Sequence, residues 1–71
     1  MRFIQFFPQA PRNARLLDFV ANSVSEAKDI ALENFRRSQY TASNLYPYGK
    51  DGFMDCIRTF TVADLDIDTN Y

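Results

Sequence analysis

Residues 17–35 read LDFVANSVSEAKDIALENF, and within this stretch a strand pattern gives way to a helix pattern. Leu17 and Phe19 alternate with their neighbours at the two-residue period that is typical of a strand with one buried face. Ser23 is followed three residues later by Glu26, which is the spacing of a capping box worth about 1 kcal/mol at the start of a helix. The sequence therefore predicts a strand that ends shortly before a helix, and a helix that begins after Ser23.

The predicted helix, residues 23–38, is amphipathic. Small and apolar side chains recur at the three- and four-residue spacing that places them on one helix face: Val24, Ala27, Ile30, Ala31 and Phe35. On the opposite face Glu33 lies four residues before Arg37, which is the favourable order for an ion pair. We therefore expect the helix to pack on a sheet, with Phe35 as a core anchor.

The first strand is predicted at residues 2–7. Phe3 and Phe7 lie on one face of this strand, and Ile4 and Phe6 lie on the other. Because successive side chains of a strand point to opposite faces, both faces are apolar. This pattern indicates an inner strand, or an outer strand whose second face meets a partner.

Two further strands are predicted after the helix. Residues 38–44 are polar and are interpreted as a linker, and residues 45–48 as a short extended segment that Pro47 restricts to a sheet edge. Residues 49–52 contain both glycines of the chain and predict a hairpin turn. The longest strand is then predicted at residues 53–62.

The predicted fold class is α+β, with a four-stranded, mainly antiparallel sheet (ββαββ) and one amphipathic helix on one face. Residues 2–7 and 15–21 are expected to form the first hairpin, and in the second of these strands Leu17 faces one side of the sheet and Leu16 faces the other. The 71 residues leave room for a single domain, because a chain of this length buries only about 60% of the surface that it exposes when unfolded. The acidic end, residues 63–71, is a candidate for a flexible tail.

Composition argues against catalysis and against several other function classes. The chain has no His, and its single cysteine, Cys56, is expected to be a buried, inert thiol. No metal, cofactor or small-molecule substrate is therefore expected. No apolar run approaches the roughly 20 residues of a membrane span, and the first residues lack the pattern of a signal peptide, so a cytoplasmic location is predicted. A net charge of −1 disfavours binding to a nucleic-acid backbone.

Three acidic residues near the end of the chain are the first candidate for a partner-binding site. Asp64, Asp66 and Asp68 alternate as the first ligands of a calcium loop do, but Thr69 stands where that loop requires glycine. If the segment is extended, its carboxylates project from one side at intervals of about 6.6–7 Å. Such an acidic comb suits a basic groove on a partner; the alternative is a solvated tail that keeps the protein soluble.

Aromatic side chains are the second candidate. Tyr46, Tyr48 and Phe6 belong to a set of rings too large for one helix on one sheet face to cover. We assign about half of this set to the core and expect the others at a protein interface, where Tyr and Phe are enriched. The alternative is that these rings stack on the bases of single-stranded nucleic acid, although the chain lacks the basic signature of such modules.

The layout of residues 17–62 resembles that of many very small phage-encoded proteins. The matching features are Ser25-Glu-Ala-Lys28 opening a helix, Ala31 within it, and the later hairpin turn from Gly49 to Gly52. In size, composition and layout the chain is similar to anti-CRISPR proteins. This resemblance implies a cytoplasmic inhibitor in a host bacterial cell that blocks nucleic-acid binding by a Cas-type protein or ribonucleoprotein complex. Anti-CRISPR proteins share no common site, so the resemblance assigns no residue a role. The alternatives are a single-stranded nucleic-acid-binding module and a homo-oligomeric structural protein, for example a homodimer.

Overall fold

The computed structural model describes residues 1–8 and 13–66, without the side chains of Phe53 and Asp66. Its elements follow in the order β1 (Arg2–Phe7), β2 (Arg15–Val20), α1 (Val24–Ser38), β3 (Ala42–Gly49), β4 (Gly52–Phe53), β5 (Arg58–Thr61) and α2 (Val62–Asp66).

The strands form one antiparallel sheet in the order β2-β1-β3-β4, and β5 pairs with the same edge of β3 as β4 does. Strands β1 and β3 therefore occupy the centre, and α1 connects the first hairpin to β3. The predicted α+β class, the hairpin of β1 and β2 and the helix on one face are confirmed.

The first turn of α1 is held by the capping box that the sequence predicts. Ser23 Oγ accepts a hydrogen bond from the backbone N–H of Glu26 at 3.0 Å. The Glu26 carboxylate reaches back and accepts from the backbone N–H of Asn22 at 2.8 Å. These bonds satisfy N–H groups that have no partner inside the helix, and they place the helix start within one residue of its predicted position.

The core lies between α1 and the sheet. Ala27 and Ala31 are fully buried, because their small side chains allow the helix backbone to approach the strands closely. Phe35 is also fully buried, and its ring lies 6.1 Å from that of Phe60 on β5. The predicted role of Phe35 as a core anchor is confirmed.

A buried polar cluster, the Gln5 network, links α1 to the two central strands. Gln5 Nε2 donates to the carbonyl oxygen of Ala31 at 2.8 Å and to Ser43 Oγ at 3.0 Å, and Gln5 Oε1 accepts from Asn34 Nδ2 at 3.1 Å. Ser43 Oγ in turn donates to the carbonyl oxygen of Phe6 at 3.1 Å. Every polar atom of the Gln5 side chain thus has a partner, which a buried amide needs in order to avoid a large desolvation cost.

Two predictions for β3 are wrong. The strand begins at Ala42, inside the predicted linker, and Pro47 lies in a central strand rather than at an edge. The Pro47 carbonyl accepts from the backbone N–H of Met54 at 3.0 Å, so the ring nitrogen also faces that side. There β4 has already ended and β5 has not begun, so the sheet needs no N–H donor at this position.

The single long strand predicted at residues 53–62 is also wrong. The chain leaves the ladder after the bond from Met54 to Pro47 and returns when the backbone N–H of Ile57 donates to the carbonyl of Leu45 at 2.9 Å. Cys56 lies in this interruption and is exposed, which corrects the prediction of a buried thiol. Its Sγ donates to the carbonyl oxygen of Arg58 at 3.3 Å. The prediction failed because it applied a single two-residue alternation to the whole of residues 53–62, although strand pairing breaks between β4 and β5.

Candidate binding face

Helix α1 packs on one side of the sheet, and the opposite side, here called the open face, is the candidate binding surface. Directly opposed residues of antiparallel strands point to the same side. Since Gln5 points to α1, the register assigns to the open face Arg2, Ile4 and Phe6 of β1, Leu16, Asp18 and Val20 of β2, and Asn44, Tyr46 and Tyr48 of β3.

Large apolar side chains of the open face remain in contact with solvent. Within the described part of the chain, Leu16 and Met54 are each 60% exposed and Val20 is 67% exposed. Single exposed apolar residues are common on protein surfaces, but Leu16 and Met54 line the same pocket and therefore form a contiguous apolar patch, which is a candidate for a binding surface.

A shallow apolar pocket of about 270 Å³ lies within the open face. It is lined by Ile4, Phe6, Leu16, Tyr46 and Met54, of which Ile4 is the most buried. The lining side chains are aliphatic, aromatic or thioether groups, and they suit an apolar group of a binding partner. The structure thus brings together Phe6 and Tyr46, two of the residues that the sequence proposes for partner binding.

The polar residues of the open face are paired with one another. The Arg2 guanidinium donates to Asp18 at 2.6 Å and lies 4.6 Å from the centre of the Tyr48 ring. The hydrogen bond to Asp18, reinforced by the attraction of opposite charges, raises the pKa of Arg2 above its ordinary value. At the far side of β3, Thr59 Oγ1 donates to Asn44 Oδ1 at 2.9 Å. Because Arg2 and Asp18 are the charged residues that the register places here, the strands give this face no net charge.

Where the structure describes the segment, it is not extended as the acidic comb requires. Residues 62–66 form the helix α2, so Asp64 and Asp66 do not lie on an extended segment; Asp68 lies outside the described residues. One oxygen of Asp64 accepts from the backbone N–H of Thr61 at 2.7 Å, and the other accepts from Arg58 at 2.8 Å. The Asp64 carboxylate therefore caps a helix instead of standing free for a partner.

Neither the helix-capping role of Asp64 nor the positions of Leu16 and Met54 at the pocket were identified from the sequence. The role of Asp64 is foreshadowed by Thr61-Val-Ala-Asp64, which has the spacing of a capping box. Leu16 was assigned to the second face of its strand, but its pocket forms only when three strands and the segment after β4 come together. Met54 was placed in a continuous strand, so its position beside the pocket could not be inferred.

Metal sites, membrane-spanning helices and similarity to known proteins were also considered as indications of function. Within residues 1–8 and 13–66, no group of three or more Cys, Asp or Glu side chains is placed to hold a metal ion. Neither helix in those ranges has the length and apolar character needed to cross a membrane. No protein-family model, curated protein or solved structure matches the chain.

Proposed function

We propose that this protein is a non-catalytic binding protein and that its open face binds another protein. The observation that carries the proposal is the apolar pocket bordered by the exposed side chains of Leu16 and Met54. Apolar area removed from water contributes about 25 cal/mol per Å², so covering these side chains favours association. An apolar side chain of the partner, inserted between Phe6 and Tyr46, is the contact that the pocket suits best.

Charge favours a protein partner over a nucleic acid. Nucleic-acid affinity comes largely from Lys and Arg that neutralise phosphates. On the open face the one cation that the strand register supplies, Arg2, already pairs with Asp18 at 2.6 Å. The face therefore has little to attract a polyanion.

One observation does favour the second candidate, a single-stranded nucleic-acid-binding module. Phe6 and Tyr46 lie on the two central strands of an antiparallel sheet whose other side is covered by a helix. RNA-recognition domains place the rings that stack on bases in a comparable arrangement. This candidate ranks second because Arg2 is the one basic residue that the described strands place on the face, and it pairs with Asp18.

The specific form of protein binding that we propose is anti-CRISPR inhibition of a Cas-type complex in a host bacterial cytoplasm. The resemblance of residues 17–62 to anti-CRISPR proteins in size and layout supports this form. Because Asp64 caps α2, we assign the contact with the complex to Phe6, Tyr46 and Tyr48 of the open face and not to an acidic comb.

The test compares two glutamate substitutions. Leu16→Glu introduces a charge beside the pocket, whereas Val24→Glu introduces it at a 39% exposed position in the first turn of α1, where a carboxylate is compatible with the helix dipole. Both variants should fold, which circular dichroism and thermal melting will verify. In affinity capture from bacterial lysate, a true partner is retained by wild type and Val24→Glu and lost with Leu16→Glu. Equal capture by both variants contradicts the proposal.

Purified components test the specific form and the second candidate. Added to a Cas effector complex, the protein and Val24→Glu should reduce binding of target DNA, and Leu16→Glu should not. No reduction by the wild-type protein contradicts anti-CRISPR action on that effector. Binding to generic single-stranded oligonucleotides that weakens steeply with salt and disappears in Leu16→Glu would instead establish the nucleic-acid module.

A further inference from the structure

The two edges of the sheet differ in a way that bears on self-association. At the β4 and β5 edge the ladder is interrupted over residues 54–57. At the opposite edge β2 is continuous over six residues, contains no proline or lysine, and among the described strands pairs with β1 alone. A regular, unprotected edge of this kind is a template for another strand.

The backbone groups that β2 offers can be assigned. Ala21 and Met1 exchange two backbone hydrogen bonds of 3.0 Å, so the N–H and C=O of Ala21 face β1. These groups alternate in direction along a strand. The N–H and C=O groups of Leu16, Asp18 and Val20 therefore face outward, where they match the spacing of an added antiparallel strand.

We propose that β2 pairs with β2 of a second copy of this chain, antiparallel about a two-fold axis at Leu17. In a continuous antiparallel sheet, directly opposed residues lie on the same side. Because side chains alternate between the two sides along β2, this holds only when the two-fold axis passes through a residue and not between two residues. The two registers that pair most of the strand are centred on Leu17 and on Asp18. Centring on Asp18 places two carboxylates directly opposite each other, which is unfavourable.

The register centred on Leu17 is self-complementary. It places Leu17 opposite Leu17 of the second copy, and Arg15 opposite Phe19 of the second copy. Leu17 and Phe19 are both half-buried at the rim of the core, and Arg15 forms no ion pair with any residue that the structure describes. Pairing thus covers two apolar side chains and gives the Arg15 guanidinium an aromatic ring to stack on.

The proposed dimer also changes the size of the binding surface. Strand length and spacing give one open face an area of about 400 Å². That is roughly half of the 800 Å² that each partner contributes to a stable interface. A two-fold axis perpendicular to the sheet places both open faces side by side. The two faces together therefore provide about the 800 Å² that each partner contributes to a stable interface. The pairing itself does not depend on the proposed function.

The first test is sedimentation equilibrium from micromolar to millimolar concentration. The mass should rise from the 8.3 kDa of one chain toward twice that value. Asp18→Pro removes an outward N–H that faces Leu16 of the second copy in this register and takes no part in the pairing with β1, and it should keep the protein monomeric at every concentration. The matched control is Val24→Pro at the first helical position, where proline is tolerated, and this variant should dimerise like wild type. A wild-type protein that stays monomeric, or a dimer that Asp18→Pro leaves intact, overturns the proposal.

A second measurement keeps the test decisive if Asp18→Pro fails to fold. In a Cys56→Ser background, Leu17→Cys should form a disulfide-linked dimer on mild oxidation, because opposed residues in a non-hydrogen-bonded pair approach to about 4.5 Å between Cα atoms. A mixture of Leu17→Cys and Phe19→Cys copies should give mainly the Leu17→Cys homodimer, because the register centred on Asp18, and not the one centred on Leu17, places residue 17 opposite residue 19. A predominant mixed dimer overturns the register, and the absence of cross-linking in every combination overturns β2 pairing. If wild type is monomeric and Asp18→Pro abolishes binding of another protein's extended segment, that segment and not a second copy occupies the edge.

Discussion

Replacing Gln5 with methionine should destabilise the protein although the side chain keeps nearly the same length. The substitution removes the three hydrogen bonds that the Gln5 amide makes with Ala31, Ser43 and Asn34. Ser43 Oγ retains its bond to the carbonyl of Phe6, and the half-buried Asn34 retains access to water. At about 0.5–1.5 kcal/mol for each hydrogen bond, we expect a loss of about 2–3 kcal/mol.

That loss is a large share of the about 4–10 kcal/mol expected for a chain of this length. In thermal unfolding it corresponds to a decrease in Tm of roughly 10–20 °C, since 1 kcal/mol shifts a small domain by about 4–8 °C. A double-mutant cycle with Ser43→Ala isolates the contact, and a coupling energy of about 1 kcal/mol is expected for directly bonded residues. If Gln5→Met is as stable as wild type and uncoupled from Ser43, the reasoning about this network is refuted.

Three further substitutions test other parts of the fold. Phe35→Ala should cost about 3–5 kcal/mol in chemical denaturation because it empties a fully buried site, and a midpoint close to that of wild type would contradict this role. Ser23→Ala should cost about 1 kcal/mol through loss of the helix cap, whereas exposed Ser25→Ala should be nearly neutral; equal effects would argue against capping. Asp64→Ala should accelerate hydrogen exchange at the amide of Thr61 in NMR, because that amide loses its carboxylate acceptor, and unchanged exchange would show that the cap is not maintained in solution.

The open face was only partly predictable. Alternation along the first two strands placed Ile4 and Phe6 on one face of β1 and Leu16 on one face of β2, and the register confirms these assignments. The pocket itself needs Tyr46 and Met54 from a distant part of the chain. Nothing local to those residues indicates which strand will be their neighbour.

The amino-acid sequence by itself determined the features that depend on neighbours in the chain. The helix begins where Ser23 and Glu26 exchange hydrogen bonds with backbone groups three or four residues away, and the faces of β1 and β2 follow from a two-residue period. Tertiary structure decided where distant segments meet. Pro47 fits a central strand because the facing ladder is interrupted there, and Gln5 is satisfied by partners 26 to 38 residues further along the chain. Those outcomes depend on which backbone groups remain without a partner after the sheet has assembled, and no local pattern specifies that.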